Sequence, residues 1–410
     1  MADNVVRMKP FRIDVPQADL DDLRDRLHRT RWARPLPGAG WRRGVPVDYL
    51  RELAAYWADE FSWREQEAKL NAFPQFTTEI DGQSIHFVHA RSPEPHALPL
   101  IMTHSWPNSV AEFLEVIGPL TDPRAHGLDP ATAFHVVAPS LPGFGFSPFP
   151  EQFPEPADES FPRQFPEPLP EPADERPWDI ARVARTWAEL MSRLGYARYG
   201  AHGNDAGALV TPQLAALDSD HVIGSHITAG LGIPTGDPAE LDGATGEELA
   251  ELKEATGWME GGSGYGPYLA ARPQTLGHGM TDSPVAQLAY LVERFKEFDG
   301  WPGEKPDVAE PIAHDLLLTN ASVYWLTATG ASSSWLYYEG AAGMPIDQDA
   351  VPTGVSHGGP RIFRRIAERR NRVVHWGGHT SPSHMVAMAA PDSLVTDLRA
   401  FFALVDRSLK

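Results

Sequence analysis

Leu20, Leu23 and Leu27 recur at helical spacing behind Pro16 and Asp19, which predicts an amphipathic helix opening there. Leu50, Leu53, Trp57 and Phe61 predict a second. Both stripes are expected to pack on the main domain, so residues 1–75 read as an N-terminal extension. From Phe76 the period changes to two. Phe76–Ile80 and Ser84–His89 flank Asp81-Gly82, a turn pair that predicts a hairpin. Short apolar runs follow at Leu98–Met102, His135–Ala138, Tyr199–His202 and Val222–Ile227, with helical patterns over Trp178–Leu194 and Ala206–Leu217. Strands alternating with helices predict an α/β fold with a mostly parallel sheet flanked by helices. Beyond Gly230 the pattern is irregular and helical to about Gly343. Strand patterns then return at Val351–Val355 and Arg372–Trp376, and Asp392–Val405 predicts a closing helix. The sheet is therefore split: residues 76–230 and 346–410 form the core, and 231–345 a helical cap inserted over it.

Pro148 to Pro177 interrupts this scheme. It carries an imperfect duplication, Gln152–Glu159 and Gln164–Glu175, rich in Pro and Glu. Proline at that density blocks helix and interior strand, so a solvated surface insertion is expected. The 410 residues hold 35 Lys plus Arg against 55 Asp plus Glu, a formal charge of −20. That balance speaks against nucleic acid or an anionic membrane as partner. With no cysteine, disulfides, thiolate metal sites and a cysteine nucleophile are excluded. No apolar run approaches a bilayer span, and a soluble cytoplasmic protein is the expectation.

Tyr199-Gly-Ala-His-Gly-Asn-Asp-Ala-Gly-Ala208 is an apolar strand running through Gly-x-x-x-Gly into a helix. Small residues of this kind let one strained central side chain project above a sheet, and here that side chain is Asp205. Taken alone, Gly203–Gly207 is equally readable as an ordinary turn. A second signal is Ile101-Met-Thr-His-Ser-Trp-Pro107 at the end of an earlier strand. Such a turn can aim a backbone N–H at developing negative charge, which makes the amides of Trp106 and Ala206 candidate oxyanion donors. His104, Pro107 and Asn204 border the two turns and are assigned to substrate binding.

With these motifs the chain resembles epoxide hydrolases of the α/β-hydrolase fold, of the microsomal and juvenile-hormone type with an N-terminal extension. Pro10–Pro16, Leu23–Trp32, Pro139–Ser147, Arg272–Leu276 and Thr281–Val285 carry the likeness along nearly the whole chain. The resemblance implies attack of Asp205 on an epoxide carbon, then hydrolysis of the ester by water that a histidine activates, to a vicinal diol. It implies two cap tyrosines that stabilise the epoxide oxygen. Tyr265 matches the first and Tyr337 the second, with Tyr338 as an alternative, whereas Tyr324 and Tyr268 read as packing residues. No cofactor and no metal are implied. The substrate is expected to be a small, mostly apolar epoxide, and relatives with this extension often form dimers, so a homodimer is one expectation.

Gly377-Gly-His379 repeats the family's Gly-Gly-His string, but the histidine seven positions before the proline of the last helix is His384, counted from Pro391. His384 is therefore preferred over His379. His375 and His379 stand four apart, but a strand end running into Gly-Gly lacks the helical geometry of a metal pair. The chain departs from the family at three places. Ser105 stands where a glycine is usual, and Asn204 and Ala206 replace a glycine and a tryptophan. Arg361 occupies the position of the acid that orients the histidine, with Asp347, Asp349 or Glu339 as conceivable substitutes. A modified triad follows. Its alternatives are a non-hydrolytic cyclase, isomerase or dehydratase on the same scaffold, or a silent binding protein. Composition hints at secondary metabolism or detoxification.

Overall fold

The apolar runs read from the sequence become the centre of one sheet. The computed structural model describes residues 8–150, 178–298, 312–338, 347–378 and 383–408, apart from positions 39, 229, 235, 263 and 357. Among these, the strands are β1 (Lys9–Phe11), β2 (Gln75–Ile80), β3 (Gln83–Ala90), β4 (Leu98–Thr103), β5 (Phe134–Pro139), β6 (Tyr199–Asn204), β7 (Val222–Thr228), β8 (Thr353–Ser356) and β9 (Val373–Trp376). Their order is β1-β2-β3-β5-β4-β6-β7-β8-β9. The β1/β2, β2/β3 and β3/β5 pairs are antiparallel, and all pairs from β5 to β9 are parallel.

The order reverses between β4 and β6, whose neighbours continue on opposite sides. At such a switch point the carboxyl ends of two central strands open a crevice for ligand. Thr103 pairs with Gly203 there, so the His104–Trp106 turn and the Asn204–Asp205 turn leave the sheet side by side. Every residue of β6 and β7 is buried, as continuous apolar or small-residue strands covered on both faces should be. One face carries helices Ile180–Arg193 and Ala206–Leu217, and Trp187 Nε1 donates to Thr103 Oγ1 at 3.0 Å, fixing the end of β4. The other face carries helices Leu114–Thr121 and Pro391–Ser408, where Phe113, Phe401 and Phe402 are fully buried. Each such side chain contributes roughly 1.5–3 kcal/mol of burial free energy.

Between β7 and β8 lie helices Gly246–Gly262, Tyr265–Ala271, Pro273–Asp282, Pro284–Phe298 and His314–Leu326. Helices Gln17–His28 and Val47–Asp59 form as predicted, but their polar anchors reach the inserted helices: Trp57 Nε1 donates to Ser322 Oγ at 2.9 Å and Tyr56 Oη to Asp315 Oδ1 at 2.7 Å. An apolar stripe specifies that a face is covered, not by what. Helix Trp63–Leu70 was also missed, although Ser62 caps it by accepting from Glu65 N, the Ser-x-x-Glu start signal. The duplicated Pro/Glu stretch lies outside the described residues. No helix among the described residues is long and apolar enough to cross a membrane.

Candidate active site

β6 ends at Asn204 and the helix begins at Ala206, so the chain must reverse within Asp205. It does so at φ 51° and ψ −111°, a conformation that a non-glycine residue holds only under constraint from its surroundings. The flanking glycines provide that constraint. A Cβ at Gly203 would lie 2.1 Å from the Gly207 carbonyl oxygen, and one at Gly207 would lie 2.1 Å from that of Thr103. Strand, turn and helix are thus pressed together. Asp205 Oδ1 accepts from Trp106 N at 3.0 Å and from Ala206 N at 2.7 Å, which puts both predicted oxyanion donors on one oxygen. Oδ2 faces the other way and lies 3.4 Å from His384 Nε2, and about a fifth of each side chain is exposed (21% and 25%).

The inserted helices roof this carboxylate with aromatic rings. The Trp106 ring stacks on Tyr265 at 5.6 Å and meets Tyr337 edge-on at 4.9 Å, while Tyr265 and Tyr337 meet at 5.7 Å. Burial, and then the Asp205 charge, push the Tyr265 hydroxyl up to about 12. The same two causes push Tyr337 further up. Both phenols therefore keep their protons at neutral pH and are hydrogen-bond donors beside a carboxylate. Phe298 closes the wall: its ring is 5.8 Å from Tyr265 and 5.3 Å from His384, and its carbonyl accepts from His384 N at 3.2 Å.

A carboxylate held by two backbone amides, a histidine on its open oxygen and two protonated phenols are the groups needed to open a strained ether and hydrolyse the ester. Known proteins point the same way. Residues 8–113 match the family described as "Epoxide hydrolase N terminus". A Stigmatella aurantiaca protein named "Putative epoxide hydrolase" is 40% identical over 401 residues, 96% of this chain and 84% of that one. The chain belongs to the epoxide hydrolases. The crystal structure of juvenile hormone epoxide hydrolase from the silkworm Bombyx mori superposes with a TM-score of 0.80 at 27% identity, covering 99% of this chain and 96% of that one. The Aspergillus niger epoxide hydrolase gives 0.78 at 28%, over 98% and 97%. The fold is the α/β-hydrolase fold of these enzymes.

Against the epoxide hydrolase pattern, several expectations need correcting. Ser105 is not among the described residues with positive φ, so it needs no glycine conformation. His104 is fully buried, its Nδ1 bonds the Ser105 carbonyl and its Nε2 accepts from Leu141 N. Burial lowers its pKa to about 4, so it is a neutral brace for the turn. The Pro107 carbonyl accepts from Asn320, and Asn204 Nδ2 donates to the His384 carbonyl at 3.0 Å. Tyr338 is 58% exposed and stands apart from the aromatic roof. Tyr324 is buried and donates to the Asn108 carbonyl, as a packing residue should, whereas Tyr268 is exposed.

The residues weighed for the acid of a charge relay are placed as follows. Arg361 begins helix Arg361–Arg370 and reaches Glu247 at 3.1 Å and Glu251 at 3.2 Å on the surface. Asp347 is taken by Arg370 and Asn371, and Asp349 is exposed. Glu339 and His379 lie outside the described residues. His375, half of the rejected metal pair, is bonded to Asp397, and no group of three or more metal-ligating side chains occurs among the described residues.

Sequence reasoning missed Glu112, Tyr290 and Arg294. Arg294 lies 4.5 Å over Tyr265 and 5.2 Å over Tyr290, and it is paired with Glu293 and Glu297. The available signal was a charged residue inside an apolar stripe, Arg294 among Leu291, Val292 and Phe295, and Glu112 among Val110, Ala111 and Phe113.

Proposed function

We propose that the chain hydrolyses epoxides through an ester on Asp205. Oδ2 attacks an epoxide carbon, the C–O bond of the ring breaks, and the leaving alkoxide takes its proton from Tyr265 or Tyr337. Oδ2 is now the ester oxygen and Oδ1 its carbonyl oxygen. His384 takes a proton from water, the hydroxide attacks Asp205 Cγ, and the oxyanion forms on Oδ1 between the Trp106 and Ala206 amides. Collapse expels the diol with the former Oδ2, which takes the one proton held by His384, and the proton left on the new Asp205 carboxyl passes to the phenolate.

The observation that carries this reading is the division of labour on Asp205: one oxygen is bound by two amides, and the other is open toward an imidazole. The aromatic roof supports an apolar or aromatic epoxide. In this reading the core is 76–230 with 346–410, the cap is 231–345, and 1–75 is an extension. The triad lacks the usual acid at Arg361. A cytoplasmic location, a homodimer and a role in detoxification or secondary metabolism belong to the same reading, and light scattering behind size exclusion checks the assembly.

A single turnover in heavy-oxygen water is the decisive experiment. The first diol should be unlabelled and the label should enter the Asp205 peptide. Solvent oxygen in the first-turnover diol would remove the covalent route.

A further inference from the structure

Glu112 is the ionisable side chain closest in bonding to this site that the reaction above does not use. It sits in the 3-10 turn Val110–Phe113 and is 1% exposed. Its Oε2 accepts from Ser105 N at 2.8 Å and from Ser105 Oγ at 2.7 Å. Asn108 Nδ2 donates to the same Oγ at 3.1 Å. Ser105 precedes the residue whose amide holds Asp205 Oδ1, so Glu112 anchors the turn that carries one oxyanion donor. Asn204, next to Asp205, also contacts Glu112 and ties the elbow to the His384 carbonyl. Ser105 and Asn204 are two of the places where this chain departs from its family, and both converge on one carboxyl group.

The remaining atoms decide its protonation. Glu112 Oε1 and Asn204 Oδ1 are both buried without a hydrogen-bond partner. A carboxylate has only acceptors, so the ionised form leaves Oε1 charged and without a donor at a cost of about 1–3 kcal/mol. A proton on the carboxyl removes that charge from a buried group. The titratable groups facing Glu112 favour the neutral form as well. The Asp205 charge opposes a second negative charge, Tyr324 on helix His314–Leu326 is a neutral phenol, and the adjoining His104 is a neutral imidazole.

We propose that Glu112 is a positioning residue that works as a neutral carboxylic acid, clamping the Ser105 turn and the Asn204 elbow to one point behind Asp205. The proposal rests on the ester reading above. Burial first, and then the Asp205 charge, raise Glu112 to about 7 against the lowering hydrogen bonds of Ser105 and Asn204. Ionisation above that pH puts negative charge beside the hole in which Oδ1 becomes an oxyanion. Ester hydrolysis should therefore slow as pH rises through 7.

Glutamine is the neutral isostere, with one oxygen to accept from Ser105, and it cannot ionise. With styrene oxide as probe, Glu112→Gln should keep kcat within roughly threefold at pH 6 and lose the decline near pH 7. Glu112→Ala should lose roughly tenfold or more at every pH, because the donor turn is no longer held. Should Glu112→Gln fall as far as Glu112→Ala, or keep the alkaline decline, the clamp is wrong. Isotope-edited infrared spectra of the unmodified enzyme give a second readout should variants misfold. A protonated carboxyl band that disappears as pH rises through 7 is expected, and its absence at pH 6 overturns the proposal. Mass analysis of the Asp205 peptide separates the two failures. Without an ester the parent reading falls and the proposal with it; with an ester and an unchanged profile, only the role of Glu112 falls.

Discussion

Asp397, on the last helix, gives both of its oxygens to imidazoles: Oδ2 to His226 Nε2 at 2.9 Å and Oδ1 to His375 Nε2 at 2.7 Å. Asp205 gives one oxygen to two backbone amides and keeps the other 3.4 Å from a single imidazole. Burial would raise Asp397, but the two histidine hydrogen bonds outweigh it and hold the carboxyl well below the ordinary range. His226 Nε2–H donates to it, so His226 Nδ1 accepts from His202 Nδ1 at 3.0 Å. His202 Nε2 is left as a bare, buried acceptor. Both clusters combine carboxylate with histidine, and the one richer in histidines has its carboxylate saturated. What marks the reactive site is a strained backbone, amides aimed at one oxygen and a second oxygen left open.

The sharpest way to break this contrast is to remove each carboxylate. Asp205→Ala should abolish turnover, by roughly 10⁴-fold or more, and leave thermal unfolding little changed. Asp397→Ala should do the reverse. It leaves His226 and His375 without their acceptor and should cost roughly 3–5 kcal/mol of stability in urea denaturation, while the folded fraction keeps its kcat. A stable Asp397→Ala enzyme without activity would make the second cluster part of the catalytic machinery.

The same contrast shows what the sequence carries. The elbow was legible because Gly203 and Gly207 are demanded by contacts within a few residues of Asp205, and the phenols because a resemblance aligns them. Gly377 has a physical reason of its own. A Cβ there would lie 2.5 Å from Asp397 Oδ1, so that glycine serves the saturated cluster. The His226–Asp397–His375 chain joins β7, β9 and the last helix across a span of sequence that no local pattern reports. Glu112 and Arg294 were hidden likewise, since an isolated charge in an apolar stripe gains its meaning only from the partners that the fold brings to it. The N-terminal stripes were read as covered faces, and their helices pack on one another and on the inserted helix Pro284–Phe298.

A smaller effect separates the clusters by pH. In the unfolded chain Asp397 titrates at the ordinary carboxylate value, and in the folded chain well below it. Its stabilisation is present above that ordinary value and is lost as pH falls toward the folded one. Glu112 has the opposite sign: its raised pKa gives stability that is full below about 4.5 and lost as pH rises to about 7. Chemical denaturation at stepped pH should therefore show a steep acid loss between about pH 4 and pH 2 that Asp397→Asn flattens. An unaltered acid limb in that variant would mean that other carboxylates set it.

The smallest effect is expected where the sequence suggested a large one. An acid was expected at Arg361, and a glutamate there would be the obvious repair if position alone decided function. The guanidinium is 66% exposed, however, and its partners Glu247 and Glu251 belong to an inserted helix at the surface. Arg361→Glu would replace two exposed ion pairs by like charges and, at the first residue of helix Arg361–Arg370, gain a favourable helix-dipole contact. Those two effects oppose one another, and neither reaches Asp205. Ester hydrolysis in single-turnover mixing should stay within roughly twofold of the unmodified rate. A clear acceleration would mean that the new carboxylate turns inward to His384, and that the base side of the site was limited by a missing charge all along.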